Sequence, residues 1–332
     1  MPSPAKASSR ISRKFAWLAG AIVAGGALWT GGWYAFAAKV ETELPTALAQ
    51  IVGPAANAQC TDADVRGYPF RFGVFCERLT YENAARGITA NAGAFRSAAQ
   101  VYRPQHAVAE IDGPLVLNSS DWIFRADWQV LQASARAVTN GLDRGSIDAK
   151  SINFDIDGAG LVQRLAVQAD RMTAHARRNG PDLDMAAYIE NLRNDLVPGL
   201  TAKAFAFEAT LTNQSSLLEV PFIPLHGPFD AVLHRLAIEL DETSSVELAG
   251  PFQIDAENRV SGTLELTISN FQQISEIAER FMPESANMIR QFGPMIAALD
   301  TKPDDEAITL PLTIRSNLIS LGFLPLGQLP SL

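Results

Sequence analysis

The sequence is poor in the residues and patterns that usually announce an enzyme. Across 332 residues there are two cysteines and four histidines, and no HExxH, GxSxG, Walker or CxxC pattern. Zinc hydrolases, nucleophile-elbow hydrolases, P-loop enzymes and thiol oxidoreductases therefore have no local support. Of the histidines His106, His175, His226 and His234, the last two flank Asp230, and in an extended strand they would lie some 25 Å apart at about 3.3 Å per residue. A helix could bring them together, but Gly227-Pro228 interrupts it, so no metal site is expected. The carboxylate groups Asp155/Asp157, Asp182/Asp184 and Asp304/Asp305/Glu306 read as solvated turn residues. The DGAGLV string at 157–162 lacks the third glycine and the βαβ context of a dinucleotide loop and reads as a turn. Neither a catalytic residue nor a cofactor is expected.

Positive charge is also scarce. Lys and Arg number 27 against 36 Asp and Glu, for a net charge of −9, and four of the basic residues (Lys6, Arg10, Arg13, Lys14) precede Phe15. The rest is acidic and would repel phosphate backbones, which argues against a nucleic-acid partner.

One long uncharged run stands out. Residues 15–37, FAWLAGAIVAGGALWTGGWYAFA, are 23 in number, and roughly 20 helical residues cross a hydrocarbon core. The basic residues before it predict a cytoplasmic N-terminus and an exported remainder, and Trp29, Trp33 and Tyr34 suit the outer headgroup region. Ala35-Phe36-Ala37 also fits a signal-peptidase site, which keeps cleavage open as the alternative. Helical spacing of Val40, Leu44, Ala47, Leu48 and Ile51 extends the helix as a stalk despite Pro45. The expected organisation is a basic segment at 1–14, an anchor at 15–37, a helical stalk at 38–59 and an exported domain at 60–332, with a sub-boundary near 180–225. Cys60 and Cys76 would both meet oxidising conditions there, and a disulfide is expected, two unrelated buried thiols being the alternative.

The exported part reads mainly as strands. In GYPFRFGVFCERLTYE, Tyr68, Phe70, Phe72, Val74 and Cys76 alternate and predict a first strand with these aromatics in the core. Short strand-like runs follow between Arg103-Pro104, Asp112-Gly113-Pro114, Asn140-Gly141, Arg144-Gly145, Asp157-Gly158 and Asn179-Gly180-Pro181, the punctuation of an antiparallel meander. DLDMAAYIENLRNDL at 182–196 reads as a helix, AFAFEATLT from Ala204 as a strand. Phe271, Ile274, Ile277, Ala278 and Phe281 define an amphipathic helix after Ser269 and Asn270, a further helix is expected at 284–299, and ITLPLTIRSNLISLGFLPLGQLP reads as two closing strands turning at Ser316-Asn317.

The basic start, the single span, the GYPFRF segment from Gly67 to Phe72, the Cys60/Cys76 pair and the LISLGFLPLGQLP ending resemble the bacterial domain of unknown function 2125, found mainly in alphaproteobacteria. The resemblance implies an inner-membrane protein facing the periplasm and brings no activity or catalytic residues. More distantly, the order of elements is similar to AsmA-like envelope proteins, implicated in lipid movement along a curved β-sheet, an analogy of fold alone.

The expected fold is α+β: a predominantly antiparallel, curved, half-barrel-like sheet partly covered by amphipathic helices and preceded by one transmembrane helix. The expected role is non-catalytic, binding a hydrophobic ligand such as a lipid, with Phe222, Ile223, Phe323 and Leu324 as candidate groove residues. The alternatives are a scaffold for other envelope proteins with a filled core, and an envelope enzyme without a recognisable motif.

Overall fold

The computed structural model describes residues 9–158, 160–161, 164–195, 198–219, 226–281, 301, 307–322 and 324–330. The chain opens with helix α1, Ser9–Val52, an uninterrupted 44 residues in which Pro45 is accommodated. The first strands, β1 (Asn57–Thr61) and β2 (Asp64–Arg66), follow. Next come β3 (Arg71–Cys76), β4 (Arg78–Asn83), β5 (Ile88–Ala92), β6 (Phe95–Gln100), β7 (Arg103–Ile111), β8 (Leu115–Asn118), β9 (Trp122–Asp127) and β10 (Val130–Val138).

These ten strands are pieces of longer ones. β2, β3, β6, β7 and β10 pair in series, as do β1, β4, β5, β8 and β9, and both series end on the 18-residue β11 (Gly141–Gly158). Each long strand breaks where the next one breaks, so a crease runs across the sheet. Two glycines permit it. A Cβ on Gly93 would lie 2.7 Å from the Asp112 carbonyl oxygen, and one on Gly113 would lie 2.3 Å from Asp127 Oδ1. The same line crosses the unbroken strands at residues in the left-handed region, Ser151 (φ 52°) in β11 and Asn191 (φ 53°) in β13 (Asp182–Asn194). Between them, in β12 (Leu165–Asn179), Asp170 accepts hydrogen bonds from Asn191 and Arg193, each 2.8 Å.

From β11 the sheet continues as a meander of β12, β13, β14 (Thr201–Leu211), β15 (Phe229–Glu239), β16 (Ser245–Ile254), β17 (Val260–Ser269), β18 (Ala307–Arg315), β19 (Leu318–Leu321) and β20 (Leu324–Gln328). Neighbours in this series pair antiparallel. Together the strands make one open, curved, predominantly antiparallel sheet, as the alternation of the sequence predicts. Helix α2 (Phe271–Phe281) follows β17 where the apolar spacing predicts it.

Several local expectations are corrected. Residues 182–194 form β13, not a helix: this stretch of good helix formers also alternates with period two, and it is held between β12 and β14, so tertiary pairing overrides propensity. GYPFRFGVFCERLTYE is neither the first strand nor a single one, since it holds a turn followed by β3 and β4. Tyr68 and Phe70 lie in that turn, 45% and 64% exposed, and are not core. Arg144-Gly145 lies within β11, and the closing segment makes three strands. The helix expected at 284–299 lies outside the described residues.

Cys60 and Cys76 form a disulfide, with Cα atoms 5.2 Å apart. It joins β1 of one series to β3 of the other, across the crease at the free edge of the sheet.

Candidate functional site

In an antiparallel sheet, residues directly opposite each other point to the same face, so the register separates two surfaces. One face is apolar from β7 to β18. Its central row runs from Ala109 on β7 through Ala133, Ile147, Ala174, Ala187, Phe207, Leu236, Leu248 and Leu266 to Leu310 on β18. Rows two residues to either side repeat the pattern: Ala107, Ala135, Gly145, Ala176 and Met185 on one side, and Ala149, Met172, Ile189, Phe205 and Ile238 on the other.

The two ends of this face differ in packing. From β13 onward its side chains pack on one another: Leu183, Leu211, Phe229, Ala231 and Ile254 form one cluster, and Ala209, Leu233, Leu264, Leu312 and Ile314 a second. Between β7 and β12 the residues are mostly alanines, and Ala107, Ala133 and Ile147 are exposed. Small side chains leave a shallow apolar floor there instead of a filled core.

The floor leads to the anchor. Phe72 on β3 is opposite Ala99, which is opposite Ala107. Trp33 of α1 stacks on Phe72 with ring centroids 5.3 Å apart, and Trp33, Ala37 and Val65 form a buried cluster with Val40, Phe72, Val74 and Val101 around it. Polar contacts fix the helix on this edge: Trp33 Nε1 donates to the Arg71 carbonyl (3.1 Å), Trp29 Nε1 to that of Pro69 (3.1 Å), and the Val65 amide to Glu41 Oε1 (3.0 Å).

The opposite face is polar. One row carries Arg96, Glu110, Gln132, Asp148, Thr173 and Tyr188, and the next carries Ser134, Ser146, His175, Ala186, Glu208 and Arg235. A depression of about 660 Å³ lies over the first row, and a second of about 480 Å³ shares Ser134, Ser146 and His175 with it. Ion pairs occupy both. Arg96 bonds Glu110 and Asp112, Arg171 bonds Asp148 (2.8 Å), Arg177 bonds Asp184 (2.9 Å), and Arg235 bridges Glu239 and Glu247. Hydrogen bonds from Arg96 hold Glu110 and Asp112 below the usual carboxylate range, and Arg171 does the same to Asp148. The Tyr188 hydroxyl donates to Glu208, which pushes its ionisation up. These are charges neutralised by neighbours.

Of the candidate residues from the sequence, Asp184 and His234 meet on Thr210 and line the second depression with His175. His234 bonds Thr210 (2.9 Å) and His226 bonds Asn258 (3.0 Å). Asp155 is buried in β11 against Arg164 (2.6 Å) and Arg125 (3.4 Å) rather than solvated at a turn, and Asp184 lies within β13 on Thr210 and Arg177. Among the described residues no group of three or more metal-ligating side chains occurs. Phe222, Ile223, Phe323 and residues 304–306 lie outside the described residues; Leu324 opens β20, its backbone opposite Leu321. The alanine floor shows in the sequence only as the pairs Ala107/Ala109, Ala133/Ala135 and Ala174/Ala176, each two apart, which the register brings side by side.

α1 is the one helix among the described residues that is long and apolar enough to cross a membrane. A family model described as an uncharacterized protein conserved in bacteria, the domain of unknown function 2125, matches residues 33–330, beginning at the tryptophan that packs on the sheet. No curated protein and no solved structure matches the chain. The chain belongs to that bacterial family.

Proposed function

We propose that this member of the family is a non-catalytic inner-membrane protein, held by α1 with its N-terminus in the cytoplasm and its sheet in the periplasm, that binds the acyl part of a lipid on its alanine-rich floor. The observation that carries this reading is the continuity of the apolar face with the anchor: the exposed floor formed by the neighbouring rows of Ala133 and Ile147 and of Ala107 reaches, from Ala107 by way of Ala99 and Phe72, the helix residue Trp33. An acyl chain on that floor would replace water over alanine and isoleucine at about 25 cal/mol per Å² of apolar surface covered. The charge distribution supports the orientation, since Arg13 and Lys14 precede the apolar run. The AsmA-like analogy agrees with this role at the level of sheet and helix order only.

Uptake of a fluorescent fatty acid by the full chain tests the binding, with Ala133→Trp as the control that fills the floor from an exposed position. Saturable uptake that drops in the variant supports the reading. Uptake that is absent, or equal in both, contradicts it and favours a scaffold.

A further inference from the structure

We propose that two neighbouring turns of the sheet, residues 67–70 and 101–102, form a second membrane contact that seats the sheet's edge in the headgroup layer beside α1. The inference rests on α1 spanning the bilayer and goes beyond it by assigning lipid contact to the domain itself.

Helix length is the first ground. Contact between α1 and the sheet begins at Trp29, and Trp33 and Ala37 are buried by it. Below that point residues 13–28 reach only about 24 Å at ~1.5 Å each, short of a ~30 Å hydrocarbon core. If the apolar run is to cross fully, the level of Trp29 to Trp33 lies at or within the outer leaflet, and the turn bonded there lies with it.

The turns themselves are the second ground. The Val101 amide donates to the Phe70 carbonyl (3.0 Å), so the two tips are adjacent. Each presents a large aromatic ring to the outside, Phe70 at 64% and Tyr102 at 68% exposure, while Tyr68 bonds Thr30 of α1 (2.7 Å) and stacks on Tyr34. Water penalises such rings at a turn tip, whereas the membrane interface favours them. Each tip is followed by an exposed arginine, Arg71 and Arg103, neither of them ion-paired among the described residues, at the right place for lipid phosphates. The same pattern fits a bilayer better than a protein partner because α1 already brings a bilayer to this edge.

The test uses the full chain reconstituted into vesicles containing brominated phosphatidylcholine and phosphatidylglycerol, with an environment-sensitive fluorophore on Phe70→Cys, Tyr102→Cys or Asp121→Cys. Asp121 lies in the turn between β8 and β9, at the opposite end of the strands. The expected result is loss of fluorescence at 70 and 102 and none at 121. If the protein floats with the vesicles but positions 70 and 102 behave like 121, quenched or unquenched, the edge contact is overturned while anchoring stands. If the unlabelled chain fails to float, the anchor reading falls, and this proposal with it.

Discussion

Gly93 shows how much of this fold depends on single atoms. It sits on the crease, where a Cβ would press on the Asp112 carbonyl 2.7 Å away, and backbone cannot retreat as a flexible side chain can. Gly93→Ala should therefore destabilise the protein by roughly 1–3 kcal/mol, the usual cost of overpacking, read from the denaturation midpoint. Neighbouring residues can also have opposite roles: Gln132 bonds Glu110 on the polar face (3.1 Å), whereas Ala133, next in sequence, lies on the apolar floor between Ala109 and Ile147. The period-two pattern makes that division legible from the sequence. What it leaves out is register: that Ala109, Ala133, Ile147 and Ala174 form one row depends on which strands are neighbours, and nothing local to β7 or β10 encodes that.

At the scale of elements, the disulfide and the ion-pair rows hold complementary parts of the sheet. The Cys60–Cys76 bridge, 16 residues apart in sequence, ties the two strand series at the edge that carries α1. Reducing it should cost about 3 kcal/mol in the chain-entropy account of a loop this size, seen as a lower denaturant midpoint with reductant. The polar face predicts an acid sensitivity. Glu110, Asp112 and Asp148 have native pKa values below their ordinary 4.5, 3.8 and 3.8, so their contribution is complete above about pH 4.5 and is lost as pH falls through the lower native values. These groups are exposed and screened, so a modest acid shift in melting temperature that shrinks with added salt is expected.

Element identity was partly readable. AFAFEATLT and the helix at Phe271–Phe281 follow their periodicities, but β13 does not follow its composition, because Ala, Met, Leu and Glu favour a helix until two flanking strands are present. Strand breaks were read as hairpin turns for a related reason: Asp112-Gly113-Pro114 interrupts pairing in either case, and only the crease distinguishes a bend from a reversal.

For the whole molecule, the central fact is the asymmetry of the open sheet: one face of paired charges, one apolar face joined to a helix able to cross a membrane. A hydrophobic run near the N-terminus is legible without any structure, and so is a strand-rich remainder. That the apolar face starts where the helix docks is not, since it requires Trp33, Phe72 and the alanine rows to be placed together. The proposed function therefore turns on whether the apolar face meets lipid. A photo-crosslinking amino acid placed at Ala133 or at Gln132 in the full chain, activated in cells and followed by mass spectrometry of the adduct, tests this most directly. Lipid adducts at 133 with none at 132 are predicted; adducts at 132 alone, or a protein as the sole adduct at 133, would contradict it.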